Sequence, residues 1–467
     1  MKTKITILFF TCLVVASCSK WPYGHGGDDD DDNIIYNEIK IDEGASSITE
    51  RIEISPNEIV VRYDASSTLS ERDNVRAEIR MEYPDVQIEE CDCGDMDLWI
   101  FDPGIEELDI EGVVNGLPRR NPAGKVRGDR SFDIFLPEIA PFTPQGQAGG
   151  EPSFIAAVDN SSVNIAVIDT GIDYNRNEIS SDTRRNLFPS GAFSDCLSTQ
   201  SGWNYLGDGD ENRINEGNQD ILDQNGHGTY VTKIITDVLE EDGINYQILP
   251  LKVFNAEGKG SYWDVLCAFA YIKEINENGG NISVVNASFG GSMPKALFEL
   301  DENGNKSLFA QLLDELNELN TLVVTSAGNK GVDNEIGSER DFLSFFDAAN
   351  ILAVGGYFDD GVRPVTDPVE LDEDSNFGAT SIDIALAFND YKIILDTPDD
   401  STLDDEVTLD GTSYAAAAMS AIAAVVIDEA PDLPPATLKQ IIFSLPSAST
   451  SSELNGKIVE SRALLRE

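Results

Sequence analysis

The chain has 467 residues and a net charge of −52, with 32 Lys+Arg against 84 Asp+Glu. Hydrophobic residues make up 41% of it, enough to bury a core, so the acidity does not signal wholesale disorder. Charge of this sign argues against binding nucleic acid through phosphates or adhering electrostatically to an anionic membrane, and the length implies two or three domains.

The first residues read as a targeting segment. Lys2 and Lys4 precede an apolar run from Ile5 to Ala16, the length of a signal core and too short to span a bilayer. It ends Val15-Ala16-Ser17-Cys18, which resembles the lipobox of bacterial lipoproteins. That resemblance implies removal of residues 1–17 and a lipid on Cys18. The expectation is an exported protein at the cell envelope (outer membrane or cell surface), touching the membrane only through its anchor, or released from it. Residues 18–45 read as an acidic flexible tether, because the consecutive aspartates Asp28 to Asp32 repel one another and stay solvated.

Residues 46–102 read as a small α+β unit. Ile59-Val60-Val61-Arg62-Tyr63 is a predicted strand with Ile59, Val61 and Tyr63 on one face. Leu69 to Tyr83 spaces Leu69, Val75 and Ile79 as an amphipathic helix does. Val86 and Ile88 alternate with polar residues, and Leu98 to Phe101 supplies another short strand. Residues 103–155 are rich in Pro, Gly and basic side chains (Arg119, Arg120, Lys125, Arg127, Arg130) and read as a linker.

From 156 to 467 the pattern becomes strand–helix alternation. Apolar runs at 163–168, 248–254, 282–286, 321–325 and 351–354 are short and rich in Val and Ile. Helical stretches fall at 227–240, 261–277 and 305–320, then at 412–430 and 435–444. The pattern predicts an α/β fold: a doubly wound parallel sheet, preceded by the small α+β unit, with its site at the carboxyl ends of strands.

The cysteines carry little signal. Cys12 leaves with the signal segment, and Cys91 and Cys93 suit neither a mutual bridge nor, alone, a zinc framework. Cys196 and Cys267 have the option of pairing in an oxidising compartment, yet Cys267 lies in an apolar helical stretch where a buried free thiol is expected.

Chemistry concentrates at the edges of predicted elements. Asn164-Ile-Ala-Val-Ile-Asp169-Thr-Gly171 puts an Asp directly after an apolar strand. Asn225-Gly-His227-Gly-Thr229 opens a helix with the one histidine of the folded region, the other being His25. Asp410-Gly-Thr-Ser413 opens an Ala-rich helix with a serine in its first turn, and Thr325-Ser-Ala-Gly-Asn329 ends a strand with an Asn. A nucleophilic serine needs a base and a group to orient that base. His227 has the pKa range for the first task and Asp169 the charge for the second. A serine at a helix N-terminus gains a backbone N–H and a positive dipole end for an oxyanion, and the Asn329 amide offers a second donor.

These residues, in the order Asp, His, Ser, resemble the subtilisin-like serine peptidases over roughly 160–445. The resemblance implies that Asp169, His227 and Ser413 form the catalytic triad, acting through an acyl-enzyme, and that Asn329 completes the oxyanion hole. It also implies that Ser288, Phe289 and Gly290, within Val285-Asn-Ala-Ser288-Phe-Gly290-Gly291, lie on the strand against which substrate backbone pairs. Asn376-Phe-Gly378 with Ile382-Asp383-Ile384, and the stretch from Pro431 to Leu445, match further segments of the pattern. The unit at 46–102 resembles the propeptides of these enzymes, which assist folding and block the cleft.

Some positions depart from the family pattern. Tyr230-Val231-Thr232-Lys233 replaces the usual residues after the catalytic His-Gly-Thr, Ala417-Ala418 replaces a Pro-His pair, and Ala385-Leu386-Ala387 replaces Ala-Pro-Gly. None removes a catalytic group, so they bear on packing and pocket shape. Between Asp169 and His227 an acidic insert holds Asp208, Asp210, Glu211, Glu216, Asp220 and Asp223. Oxygen-rich loops suit calcium, so Asp208 and Asp210 are candidate ligands of a structural calcium beside the alternative of a solvated loop. No metal or other cofactor is expected in the bond chemistry.

The expectation is therefore a monomeric serine endopeptidase acting on protein or peptide substrates. An inactive envelope-bound binding protein on the same fold is the alternative, which loss of a triad residue would have favoured. A sedolisin-type acid peptidase is disfavoured by His227, and by Asn329 where that group uses Asp.

Overall fold

The computed structural model describes residues 51–105, 108–120, 126–136, 142, 144, 156–174, 186–206, 217–297, 306–337, 339–359, 371–395, 405–445, 447–450 and 457–459. Cys18 and the aspartate run 28–32 lie outside them, as do Asp208, Asp210, Glu211 and Glu216.

The N-terminal part is an antiparallel sheet with two helices on one face. In chain order it holds β1 (Arg51–Tyr63), α1 (Leu69–Glu82), β2 (Gln87–Glu90), β3 (Met96–Ile100), α2 (Ile110–Arg120) and β4 (Val126–Phe135). Thr68 starts α1 with a capping box, its hydroxyl accepting from the Glu71 N–H while the Glu71 carboxylate accepts from the Thr68 N–H. The predicted face of β1 is the one that packs: Ile59, Val61 and Tyr63 join Val75, Ile79, Trp99 and Phe101 under the helices. Val60 points the other way, with Met96, Leu98, Phe132 and Ile134, into the core of the larger part of the molecule.

Two expectations for this region are corrected. Residues 103–155 are not linker throughout, because α2 and β4 fall within them. Ile110, Val113 and Leu117 are spaced as one helix face and are buried. Gly112, Gly116 and Pro118 disguised α2, and Arg127 and Arg130 disguised β4; Arg130 pairs with Glu111 at 2.8 Å and Arg120 with Glu82 at 2.7 Å. The cysteines also pair otherwise than expected, as Cys91–Cys267 and Cys93–Cys196 with Cα atoms 5.9 and 5.4 Å apart. Cys267 is thus no free thiol, and it does not bridge to Cys196. Both residues of the Cys-x-Cys pair reach across to the larger part, a partnership no local spacing reveals.

The larger part contains β5 (Val163–Asp169), β6 (Trp203–Asn204), α3 (His227–Asp242), β7 (Tyr246–Lys252), β8 (Lys259–Ser261), α4 (Tyr262–Glu277), β9 (Ile282–Ala287) and β10 (Ser292–Pro294). It continues through α5 (Leu308–Glu318), β11 (Leu322–Ser326), β12 (Glu339–Asp341), β13 (Ile351–Tyr357), β14 (Ile384–Ala387), β15 (Tyr391–Leu395) and β16 (Asp405–Leu409). It ends with α6 (Thr412–Glu429), α7 (Pro435–Ser444), β17 (Ser447–Thr450) and β18 (Lys457–Val459). Among the described residues nine strands form one sheet in the order β17-β18-β14-β13-β11-β9-β5-β7-β6, with only β17 antiparallel. This is the predicted doubly wound α/β architecture.

Both faces of the sheet are covered, which is why its strands read as continuous apolar runs. In β5, Ile165 and Val167 pack toward α3, α6 and α7, while Ala166 and Ile168 pack toward α4 and α5. The Ala-rich α6 is buried along most of its length, and its small side chains let it lie close against α3 and the sheet. From β5 the chain crosses to β7 on one side and then to β9 on the other. Strand order therefore reverses at β5, and the crevice of such a sheet opens at that carboxyl end. Asp169 is the last residue of β5.

Candidate active site

The site is built where β5, α3, β11 and α6 end or begin. The Asp169 carboxylate is 1% exposed, and Oδ1 accepts from the Thr170 N–H at 2.7 Å. Both of its oxygens lie 2.9 Å from Nδ1 of His227. A carboxylate there selects the tautomer protonated on Nδ1, which turns Nε2 into the acceptor.

His227 is the first residue of α3, whose N-cap Gly226 has no side chain to cap it. Asp223 takes over that task. Its Oδ1 accepts from the N–H groups of Asn225 and Gly226, both at 2.8 Å. Its Oδ2 accepts from the Thr229 N–H at 2.9 Å and from the Thr229 hydroxyl at 2.6 Å. Burial pushes the Asp223 carboxyl above its usual range, against the opposing pull of the Gly226, Thr229 and Asn225 donors. Asp223, the last acidic residue of the insert, holds together the helix end that carries the imidazole. Gly228 completes the joint: a Cβ there would lie 2.4 Å from the Gly171 carbonyl, so only glycine lets α3 approach β5 this closely.

Ser413 lies in the first turn of α6 and is 3% exposed. Its Oγ donates to the Ser288 carbonyl at 3.0 Å, and the Ser288 hydroxyl donates back to the Ser413 carbonyl at 2.9 Å. The His227 ring stands 5.7 Å from that of Tyr414, the next residue, which puts the imidazole beside this turn. Burial first, and the Asp169 charge second, push the Tyr414 hydroxyl far above its usual range, so it stays protonated there.

Asn329 reaches the same turn from the end of β11. Its Oδ1 accepts from the Thr412 N–H at 2.9 Å and the Thr412 hydroxyl at 2.8 Å. That anchor leaves Nδ2 on the side of Gly411, 3.4 Å from where a Cβ would stand. Asp169, His227, Ser413, Asn329 and Ser288 are thus gathered around one helix turn, with Phe289 and Gly290 following Ser288. A base held by a carboxylate, a hydroxyl at a helix N-terminus and an oriented amide are the parts acyl transfer requires.

Sequence reasoning missed two members of this arrangement, Asp223 and Thr412. An Asp shortly before a helix start, with Thr229 in the first turn, was the available signal for Asp223. Thr412 had none, since its partner lies 83 residues away. The departures from the family pattern are packing features: Tyr230 sets its ring edge-on to Phe142 at 5.7 Å, and Ala417 and Ala418 are buried within a regular α6.

Fold and site together define a doubly wound α/β protein of the serine-hydrolase type. The family model of the peptidase S8 subtilases matches residues 160–456, and the chain belongs to that family of serine peptidases. Among solved structures, a serine-to-alanine mutant of the epidermin leader peptide processing serine protease of Staphylococcus aureus superposes with a TM-score of 0.55. It is 16% identical, over 89% of this chain and 99% of that one. The unmutated form of the same protease gives 0.53 at 14% identity, over 88% and 97%.

Proposed function

We propose that the protein is an exported, lipid-anchored serine endopeptidase, and that Asp169, His227 and Ser413 are its triad. The observation that carries this is the Asp169–His227 pair, both carboxylate oxygens 2.9 Å from Nδ1, set against the helix turn that bears Ser413. In the reaction Ser413 Oγ leaves the Ser288 carbonyl, gives its proton to Nε2 of His227 and attacks the scissile carbon. Asp169 holds the imidazolium that forms, while Asn329 Nδ2 and the Ser413 N–H meet the oxyanion. Collapse expels the amine, which takes the proton from His227. Water, deprotonated by the same imidazole, then hydrolyses the acyl-enzyme.

The lipobox-like Cys18 and the apolar run before it support export and anchoring at the cell envelope. The N-terminal part is proposed to act as a propeptide does, covering the cleft. In support, β4 adds to the edge of β8 (Asp133↔Ser261, Ile134↔Gly260, Phe135↔Lys259), and the Leu136 N–H donates to the Gly258 carbonyl at 2.8 Å. Phe142 then lies against Gly226, one residue before His227. Labelling with a fluorophosphonate probe tests the reading: the wild type should react at Ser413 and Ser413→Ala should not. A folded wild type that neither labels nor cleaves any peptide would leave an inactive binding protein instead.

A further inference from the structure

Lys252 ends β7 and is 6% exposed, a cation taken almost wholly out of water. It is paired in register with Asp169, the last residue of β5. At alternate positions before these two, Tyr246 and Ile248 of β7 and Ile165 and Val167 of β5 pack with Tyr230, Val231 and Ile235 of α3. Both side chains therefore stand on the face of the sheet that α3 covers. There each holds a different part of the same helix start. Asp169 takes Nδ1 of His227, and Lys252 Nζ donates to the Leu222 carbonyl at 2.6 Å. Leu222 directly precedes Asp223, whose carboxylate accepts from the Asn225, Gly226 and Thr229 N–H groups and from the Thr229 hydroxyl. Those four donors, two on each oxygen, fill the acceptor positions of an ionised carboxyl, and a protonated one would have to give up a bond. A buried carboxylate in turn requires a counter-charge, which Lys252 supplies. Burial pulls the Lys252 ammonium below its usual range while Asp223 and Asp220 pull it back up, so these groups share one electrostatic neighbourhood.

Resting on the peptidase reading, we infer that Lys252 is a positioning residue for that reaction: with Asp223 it forms a second charged anchor for the helix end that carries His227, and its ammonium offsets the carboxylates around the imidazole. Those groups come from every element packed there. Strand β5 and the turn after it contribute Asp169 and Asp173, and the segment before α3 contributes Asp220 and Asp223. Helix α3 itself adds Tyr230, and α6 adds Tyr414 with Asp410 in the turn before it. Lys252 of β7 is the one cation among them. The imidazole has to be neutral to accept the Ser413 proton. Each carboxylate near it favours the imidazolium, and an ammonium opposes that. Without Lys252, the uncompensated charge of Asp223 would keep a larger share of His227 protonated at a given pH. Neutralising Asp223 should act in the opposite direction. A lysine that only filled space at the end of β7 would affect rate or stability without this dependence on the sign of the charge removed.

The test uses the full-length enzyme and one fluorogenic peptide, with kcat/KM followed against pH, because its acid limb reports the essential base of the free enzyme. Lys252→Met should move that limb to higher pH by about 0.5–1 unit, and Asp223→Asn to lower pH by a similar amount. Lys252→Arg, which keeps the charge, should leave the limb in place, and combining Lys252→Met with Asp223→Asn should return it there. Histidine-selective NMR reads the same shifts at His227 directly, since His25 is the one other imidazole of the chain. Where one single variant does not fold, the other decides. An unmoved limb in folded Lys252→Met or Asp223→Asn, whatever happens to the rate, overturns the inference and leaves the peptidase reading standing. So does a limb that Lys252→Arg moves as far as Lys252→Met. A wild type that neither labels with a fluorophosphonate nor cleaves any peptide overturns both.

Discussion

Two buried aspartates, one in each part of the molecule, make similar contacts for different ends. Asp97 in the N-terminal sheet is fully buried and is gripped from several sides: Arg76 at 2.6 and 2.8 Å, the Tyr63 hydroxyl at 2.6 Å and the Trp99 indole N–H at 3.4 Å. Asp169 at the end of β5 is as buried, but its partner is an imidazole, a side chain suited to carrying a proton between groups. Asp97 faces a guanidinium whose pKa rises further above its usual value, chiefly through the hydrogen bond to Asp97, so Arg76 stays charged. The first arrangement fixes a structure; the second, in the reaction proposed above, would serve as a proton relay held at one end. What separates them is the partner's chemistry and its position at the switch point of a parallel sheet.

If the comparison is right, breaking the second pair should cost activity and breaking the first should cost stability. The largest effect belongs to the relay. Ser413→Ala or His227→Ala should lower kcat on a peptide substrate by about 10⁴–10⁶-fold, with the melting transition preserved. Wild-type turnover by either purified variant would remove the triad assignment. Asn329→Ala should lower kcat by about 10²–10³-fold with little change in KM, because its amide meets charge that develops only in the transition state. A change confined to KM would reassign Asn329 to substrate positioning.

Asp97→Ala should leave Arg76 with only its more exposed partners Glu90, at 3.0 Å, and Asp73, at 3.5 Å, and destabilise the N-terminal part by about 1–3 kcal/mol. Denaturant unfolding followed by Trp99 fluorescence measures this, and a loss below about 1 kcal/mol would mean the pair is not the structural clamp described. The mildest test concerns the bridges between the two parts. After a protease nick between residues 136 and 156, the fragments should run together on a non-reducing gel and separate on a reducing one. Separation without reductant would rule out both cystines.

Legibility in the sequence followed sequence distance. Asp169, His227, Asn329 and Ser413 could be read because each sits at the junction of an apolar run and a turn, where local pattern and chemistry coincide. The parallel sheet was equally plain, since two covered faces leave uninterrupted Val and Ile. The strand β4 was hidden because its outward positions carry arginines, one of them paired with Glu111 of α2, and α2 was hidden because glycines and Pro118 interrupt its helical pattern. Cys91 and Cys93 find partners 176 and 103 residues away, a pairing set by how two sheets dock. Asp341 in β12 is the extreme case: beside Arg340 it reads as an ordinary surface residue, and only the approach of Gly290 and Gly328 shows it as an interior one.

The cystines make the protein a closed covalent graph. Residues 137–155 are one connection between the two parts, and Cys91–Cys267 and Cys93–Cys196 are two more. Severing the peptide connection changes the number of chains without changing what is attached to what. The β4 edge would still meet β8 at the effective concentration of a short tether, in the millimolar range, rather than as a separate molecule subject to dilution. Any lipid on Cys18 would likewise still hold the catalytic part. Thiols, not proteolysis, would then govern whether the two parts separate.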